Sequence, residues 1–128
     1  MDTNKEKLIT ELKATNFIKK GNFKLKSGLN SNYYVDVKCL VSYPKIMADL
    51  CEEIYIKITE YKINHNITFE DIVICGLPYA GIPFASYISL KYNIQMILLR
   101  KEAKTYGTKK VFEGTIENKT HLLLIDDI

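Results

Sequence analysis

Apolar positions change their period several times along this chain, and each change marks an element. Leu8, Ile9, Leu12 and Phe17 fall at helical spacing behind Thr3, a good capping residue, so they predict a first helix, with Gly21 ending it or the connection after it. Phe23 and Leu25 then alternate with lysines, and Tyr33, Val35 and Val37 alternate with Tyr34 and Asp36, the period of two short strands. The turn formers between them, Ser27, Gly28, Asn30, Ser31 and Asn32, put Lys26 at the mouth of a hairpin. Ser42 followed by Pro44 reads as a helix start, because proline has no N–H to lose in the first turn. Ile46, Met47, Leu50, Ile54, Ile58 and Tyr61 continue it as a long amphipathic helix whose apolar stripe packs a core.

The second half of the chain has a different rhythm. A compact apolar run over 71–75 is the kind buried on both faces in a parallel sheet. A loop with two glycines follows over 76–81, then a helix over 82–92 and a strand over 94–99, a unit whose crossover is right-handed. Leu122, Leu123, Leu124 and Ile125 predict a last, central strand, and Asp126 and Asp127 sit at its carboxyl end. With no repeat, low-complexity tract or linker in 128 residues, the pattern is that of one α/β domain.

Composition narrows the function. A net charge of +3 is too small for general nucleic-acid binding, and the cations gather over 100–114 rather than along one face, which favours a small anionic ligand. Cys39, Cys51 and Cys75 are odd in number and lack Cys-x-x-Cys spacing, so they read as reduced thiols in a cytoplasmic protein. The charged start, from Met1 to Glu6, is unlike a signal peptide, and no apolar run suits a bilayer span, so the sequons at Asn66 and Asn118 are discounted. His65 and His121 each read as isolated surface residues.

Three stretches carry candidate chemistry. Glycine-containing loops between a strand and a helix present backbone N–H groups to anions, which makes 76–81 a candidate phosphate site. The basic segment over 100–114 reads as a mobile lid, anchored by the apolar residues before it and given freedom by Gly107 and Gly114; a solvated basic hairpin is the alternative. Arg100, Lys101, Lys104, Lys109 and Lys110 repel one another there, so a polyanion would relieve them. The paired acids suit a polyhydroxylated or metal-bearing ligand, since adjacent carboxylates gain nothing from burial. Loop, segment and acids all leave the carboxyl ends of strands, where ligands of such sheets bind.

Taken together, these blocks resemble the orotate phosphoribosyltransferases of the type I phosphoribosyltransferase family. Phe23-Lys24-Leu25-Lys26-Ser27-Gly28 with Tyr33-Tyr34-Val35-Asp36 carries the match, as do Gly76-Leu77-Pro78-Tyr79-Ala80-Gly81-Ile82-Pro83, Arg100 to Thr108, and Leu124-Ile125-Asp126-Asp127. The Lys-Ser-Gly block with the Arg-Lys-Glu-x-Lys segment is the specific part; the two-acid ending is shared more widely. The resemblance implies an α/β fold with a mostly parallel central sheet flanked by helices, a small hood over about 1–40 and a core over about 41–128. It implies transfer of the phosphoribosyl group from phosphoribosyl diphosphate to orotate, with magnesium held through the diphosphate, in a homodimer whose lid crosses the interface.

Carried over by position, Lys26 lies at the hood and contacts substrate, with Tyr33, Tyr34 and Val35 beside the orotate ring. Tyr79 and Ala80 border the diphosphate. Arg100, Lys101 and Lys104 close over it, with Tyr106 in the same segment, and Lys101 and Lys104 are the catalytic cations. Asp126 and Asp127 hold the ribose hydroxyls. Ala80 stands where some members have a lysine, and Tyr106 where some have histidine. In the family the two acids run on into a Thr/Ser- and Gly-rich turn that grips the 5'-phosphate, whereas this sequence ends at Ile128. The expectation is a domain incomplete at its C-terminus, with a poorly covered last strand that leaves an apolar surface and an open edge, and with crippled binding of phosphoribosyl diphosphate. A non-catalytic, orotate-binding or dimerising remnant is the alternative; transfer to a purine base leaves the Lys-Ser-Gly hood unexplained.

Overall fold

Strand, loop and helix follow one another much as the apolar periods predict, with differences at the boundaries. The computed structural model describes residues 3–107 and 109–128. Met1 and Asp2 of the charged start, and Thr108 of the basic segment, lie outside the described residues. The chain divides into two units, Met1–Asp49 and Leu50–Ile128, with the boundary inside a helix.

In the first unit, α1 (Thr3–Ala14) buries Leu8 but leaves Ile9 half exposed. Phe17 is not part of it: the chain leaves the helix through Asn16, in the left-handed region at φ 57°, and the Phe17 carbonyl accepts from Asp36 N–H at 2.7 Å. Next comes β1 (Ile18–Lys24), antiparallel to β2 (Asn30–Val35), with Ile18 opposite Val35 and Lys24 opposite Asn30. Gly21 therefore ends no helix. It lies inside β1 where the register shifts between Lys20 and Phe23, as glycine in a strand often does at a bulge. Val37 is likewise outside β2: the Asp36 carboxylate accepts from Cys39 N–H at 3.3 Å and turns Val37–Ser42 into a short 3-10 helix. Tyr43, not Ser42, then precedes Pro44 at the start of α2 (Pro44–Asn64).

In the second unit, β3 (Ile72–Gly76), α3 (Gly81–Tyr92) and β4 (Gln95–Leu99) form the predicted crossover, and β6 (His121–Ile125) pairs parallel to β3 on its other side. A two-residue strand, β5 (Phe112–Glu113), runs antiparallel to β4 and gives the order β5-β4-β3-β6. The sheet is thus mostly parallel. Ile72, Ile74, Ile88 and Ile94 are almost wholly buried, each stabilising the unit by about 1.5–3 kcal/mol.

Helices α2 and α3 lie against one face of this sheet. The Tyr61 ring meets His121 edge-on at 5.9 Å, Ser86 Oγ lies 3.9 Å from Met96 Sδ, and buried Cys51 Sγ lies 3.8 Å from the Phe84 carbonyl. On the opposite face, Val73, Cys75 and Ile97 cluster under Phe112. Leu122 and Leu124 share that opposite face, being level with Val73 and Cys75, yet they are 50% and 57% exposed. The aliphatic run taken alone predicts a central strand, but β6 pairs only with β3 among the described residues and forms an edge with one bare face, in line with the expectation of a poorly covered last strand with an open edge.

Candidate functional site

The second unit's site is built on a close approach of backbone. Leu98, Gly76 and Ile125 are level across β4, β3 and β6, so the residues that follow each strand leave from one edge, with the outer two strands about 10 Å apart. A Cβ on Gly76 would come within 2.2 Å of the Gly81 carbonyl oxygen, and one on Gly81 within 2.0 Å of the Ile125 carbonyl oxygen. Only glycine lets the loop after β3 fold this tightly against the end of β6. Leu77 N–H donates to the Ile125 carbonyl at 2.8 Å, which ties the loop to the strand that leads into Asp126.

The loop differs from a simple phosphate cradle. Gly81 N–H is spent on the Leu77 carbonyl at 3.0 Å, Ile82 N–H on the Tyr79 carbonyl at 3.2 Å, and Pro83 has no N–H to give. The first turn of α3 therefore has little left for an anion, contrary to the expectation of free helix N–H groups. Tyr79 and Ala80, at the apex, make no backbone donation among the described residues. Tyr79 is 65% exposed and Ala80 is buried, and the peptide between Pro78 and Tyr79 is cis.

The basic segment leaves β4 and returns through β5. Its neck is held by Leu99 opposite Phe112 and by Arg100 N–H donating to the Val111 carbonyl at 2.9 Å. Farther out, Lys104 N–H donates to the Lys110 carbonyl at 3.0 Å, so the two legs stay paired. Gly107 and Gly114 have φ of +64° and +99°, and Lys109 joins them at +52°. Gly114 is an anchor as much as a hinge, since a Cβ there would press on Ile97 Cγ2 at 3.2 Å and the Met96 carbonyl oxygen at 3.3 Å.

Within this frame the predicted cations take distinct positions. Lys101 Nζ sits over the Tyr79 ring, 4.4 Å from its centre, which brings the segment to the loop after β3. Lys104 Nζ lies over Tyr106, 5.3 Å from the ring centre, and stays with its own segment. Arg100 Nη1 lies 3.2 Å from Glu113 Oε1, while its buried Nε has no hydrogen-bond partner. Asp126 accepts from Asp127 N–H at 2.8 Å and Asp127 from Ile128 N–H at 3.0 Å. Among the described residues neither acid forms an ion pair with the segment. Loop, cations and acids thus share one edge of the sheet, and among the described residues only Lys101 bridges the segment to the loop. Cys75, next to Gly76, is buried, and burial pushes its thiol up, which makes it filler and not a nucleophile.

The remaining predicted residues lie in the first unit. Lys26 is exposed in the turn of the β1–β2 hairpin, closed by Leu25 N–H to the Leu29 carbonyl at 2.8 Å and by Gly28 at φ +86°. Tyr34 is opposite Lys19 and its ring lies 5.6 Å from that of Phe23; Tyr33 is opposite Lys20 and 54% exposed; Val35 is opposite Ile18 and half-buried.

Two features escape the sequence reading. Glu113 has the spacing of an acid three residues after Lys110, a signal present in the sequence and given no role there. His65 and His121 are not isolated: His65 stacks on Tyr61 at 3.9 Å, and the two imidazole centres are 6.2 Å apart. That contact joins the end of α2 to the start of β6, which no local pattern reveals.

No protein-family model matches the chain. It is similar, at 36% identity over 121 residues, to the uridine 5'-monophosphate synthase of Bos taurus, covering 94% of this chain and 24% of that protein. It is 34% identical over 124 residues to the orotate phosphoribosyltransferase of Pyrococcus horikoshii, covering 97% of this chain and 63% of that one. Among solved structures, the Leishmania donovani UMP synthase superposes with a TM-score of 0.72 at 36% identity, over 94% of this chain and 24% of that one. The Mycobacterium tuberculosis orotate phosphoribosyltransferase, solved with Fe(III) dicitrate, shares the fold at a TM-score of 0.61 and 21% identity, over 94% of this chain and 65% of that one. The chain is therefore a relative of the orotate phosphoribosyltransferases along nearly its whole length, and its fold is the type I phosphoribosyltransferase fold. It spans less than two thirds of the length of these relatives.

Proposed function

From this kinship with the orotate phosphoribosyltransferases, we propose that the chain carries the substrate site for transfer of a phosphoribosyl group from phosphoribosyl diphosphate to orotate, giving orotidine 5'-monophosphate and diphosphate. The observation that supports it best is the single sheet edge where the 76–81 loop, the cations of 100–110 and the Asp126–Asp127 pair emerge from level strand ends. An activated sugar has a polyanion at one end and hydroxyls at the other, and this edge offers both cations and carboxylates.

The chemistry needs those types. As the bond from ribose to diphosphate breaks, positive charge grows on the sugar and negative charge on the leaving group. Arg100, Lys101 and Lys104 neutralise the leaving group, with hydrogen bonds to charged oxygens contributing about 1.5–3 kcal/mol each. Asp126 and Asp127 accept from the ribose hydroxyls and favour the developing cation. Tyr79 and Ala80 border the diphosphate, with their backbone N–H groups as donors. A closed segment, with Tyr106 near its tip, keeps water from the sugar. In the hood, Lys26 contacts substrate and Tyr33, Tyr34 and Val35 flank the orotate ring, whose own nitrogen is the nucleophile.

Magnesium fits this donor set. Carboxylate oxygens and phosphate oxygens are its preferred ligands, and it would come held by the diphosphate beside Asp126 and Asp127 rather than in a protein cage. It supplies charge neutralisation to the leaving group. A second copy of the chain is part of the proposal, its basic segment reaching into the neighbouring site. No helix among the described residues is long and apolar enough to cross a membrane, and a cytoplasmic location is proposed with the pathway, pyrimidine nucleotide synthesis.

Calorimetric titration with orotate and, separately, with magnesium phosphoribosyl diphosphate tests the reading, together with loss of orotate absorbance when both are present. Binding of both supports the site. Orotate binding without turnover would assign the chain to the non-catalytic alternative, and binding of neither would overturn the proposal.

A further inference from the structure

Among the cations of the basic segment, the two at its neck converge on one carboxylate. Arg100 Nη1 is 3.2 Å from Glu113 Oε1, and Lys110 Nζ is 3.8 Å from Glu113 Oε2, one oxygen for each leg of the segment. Glu113 itself is fixed by the sheet. It stands opposite Leu98 in the β4–β5 pairing, and the next residue, Gly114, is wedged against Ile97 and the Met96 carbonyl in a conformation other residues rarely adopt. The carboxylate therefore holds its place whatever the tip of the segment does. Without it, a guanidinium and an ammonium would face each other across the neck and repel.

Arg100 is also pinned through its backbone, by the Val111 carbonyl, so it belongs to the fixed root of the segment and not to its tip. Its guanidinium has five donors; Glu113 takes one through Nη1, and the buried Nε has no acceptor. A desolvated donor without a partner is costly, and since the side chain as a whole is 34% exposed, the donors open to an incoming anion are those on the Nη atoms. We propose that Glu113 is a positioning residue: it clasps Arg100 and Lys110 at the neck of the segment and so presents the free donors of Arg100 to the diphosphate of the substrate. This inference rests on the proposed function, because the diphosphate is the ligand that function assigns to Arg100.

The test is a double-mutant cycle read by calorimetric binding of inorganic diphosphate with magnesium, using the whole chain, Glu113→Gln, Arg100→Ala and the double variant. Glu113→Gln is expected to weaken binding roughly two- to fivefold, the range for a half-exposed ion pair, and to have no further effect once Arg100 is alanine. Glu113→Asp should recover part of the loss. Unchanged or tighter binding by Glu113→Gln, or the same loss in the Arg100→Ala background, overturns the clasp. A ligand-free readout separates the two ideas. The Arg100 Nε–H proton should exchange slowly in the unaltered chain and fast in Glu113→Gln. If diphosphate does not bind at all, the site reading fails, while equal exchange in both proteins would overturn the clasp by itself.

Discussion

The ammonium of Lys101 rests over the ring of Tyr79, 4.4 Å from its centre, and ties the basic segment after β4 to the loop after β3. The ring is 65% exposed, so the contact competes with water and has the strength of an exposed cation–π pair, about 0.5–1 kcal/mol. That is enough to bias the segment without locking it, as the proposed function asks of a part that admits and releases a ligand.

Replacing Tyr79 by leucine should free the segment, and replacing it by phenylalanine should not. Tryptic cleavage after Lys101 and Lys104, followed by mass spectrometry, is expected to run roughly two- to fivefold faster in Tyr79→Leu, in line with the loss of such a pair. Equal rates in both variants would show that the ring does not hold the lysine.

Gly81→Ala is expected to cost about 3 kcal/mol or more, because its Cβ would fall 2.0 Å from a backbone oxygen that cannot swing away. Gly76→Ala should behave alike, at 2.2 Å from the Gly81 carbonyl. The urea midpoint followed by circular dichroism measures both; a midpoint equal to that of the parent would show that the loop and β6 separate easily.

The three cysteines should divide by burial. Cys51 is buried beside the Phe84 carbonyl, and burial, aided by the nearby Glu52 charge, pushes its thiol up to about 11. Its reactive thiolate is therefore scarce at neutral pH and grows only as pH rises toward that value. Cys75 is also buried and raised, whereas Cys39 is half-buried. Thiol titration of the native chain at neutral pH should modify Cys39 first, with Cys51 and Cys75 following only on unfolding.

Glu52 joins α2 to α3 through Lys91, Tyr92 and Tyr87, and these hydrogen bonds, Lys91 first, hold its carboxyl below the usual range. A carboxylate with a depressed folded value contributes stability above its unfolded value, about 4.3, and loses it as pH falls through the folded one. Glu52→Gln should therefore lower stability at neutral pH by about 0.5–1 kcal/mol, given its partial exposure, and flatten the acid limb of the stability curve. Melting temperatures across that limb measure it; parallel curves for the two proteins would contradict the assignment.

By itself the sequence determined the order and type of most elements and supplied the residue types on which the proposed site rests. The periods over 44–61, 71–75 and 82–99 reflect burial, which residue type reports directly, and Lys101, Lys104, Asp126 and Asp127 are legible because charged residues at strand ends have few structural uses. Gly21 and Val37 were misread because a bulge and a carboxylate cap override local alternation. Only the tertiary structure decided that His65 meets His121, that Gly81 and Ile82 at the start of α3 have spent their N–H groups, and that Glu113 faces Arg100 and Lys110. Each of these depends on which strand lies beside which. Pairing between distant segments sets those distances, and no periodicity within a segment encodes its neighbour.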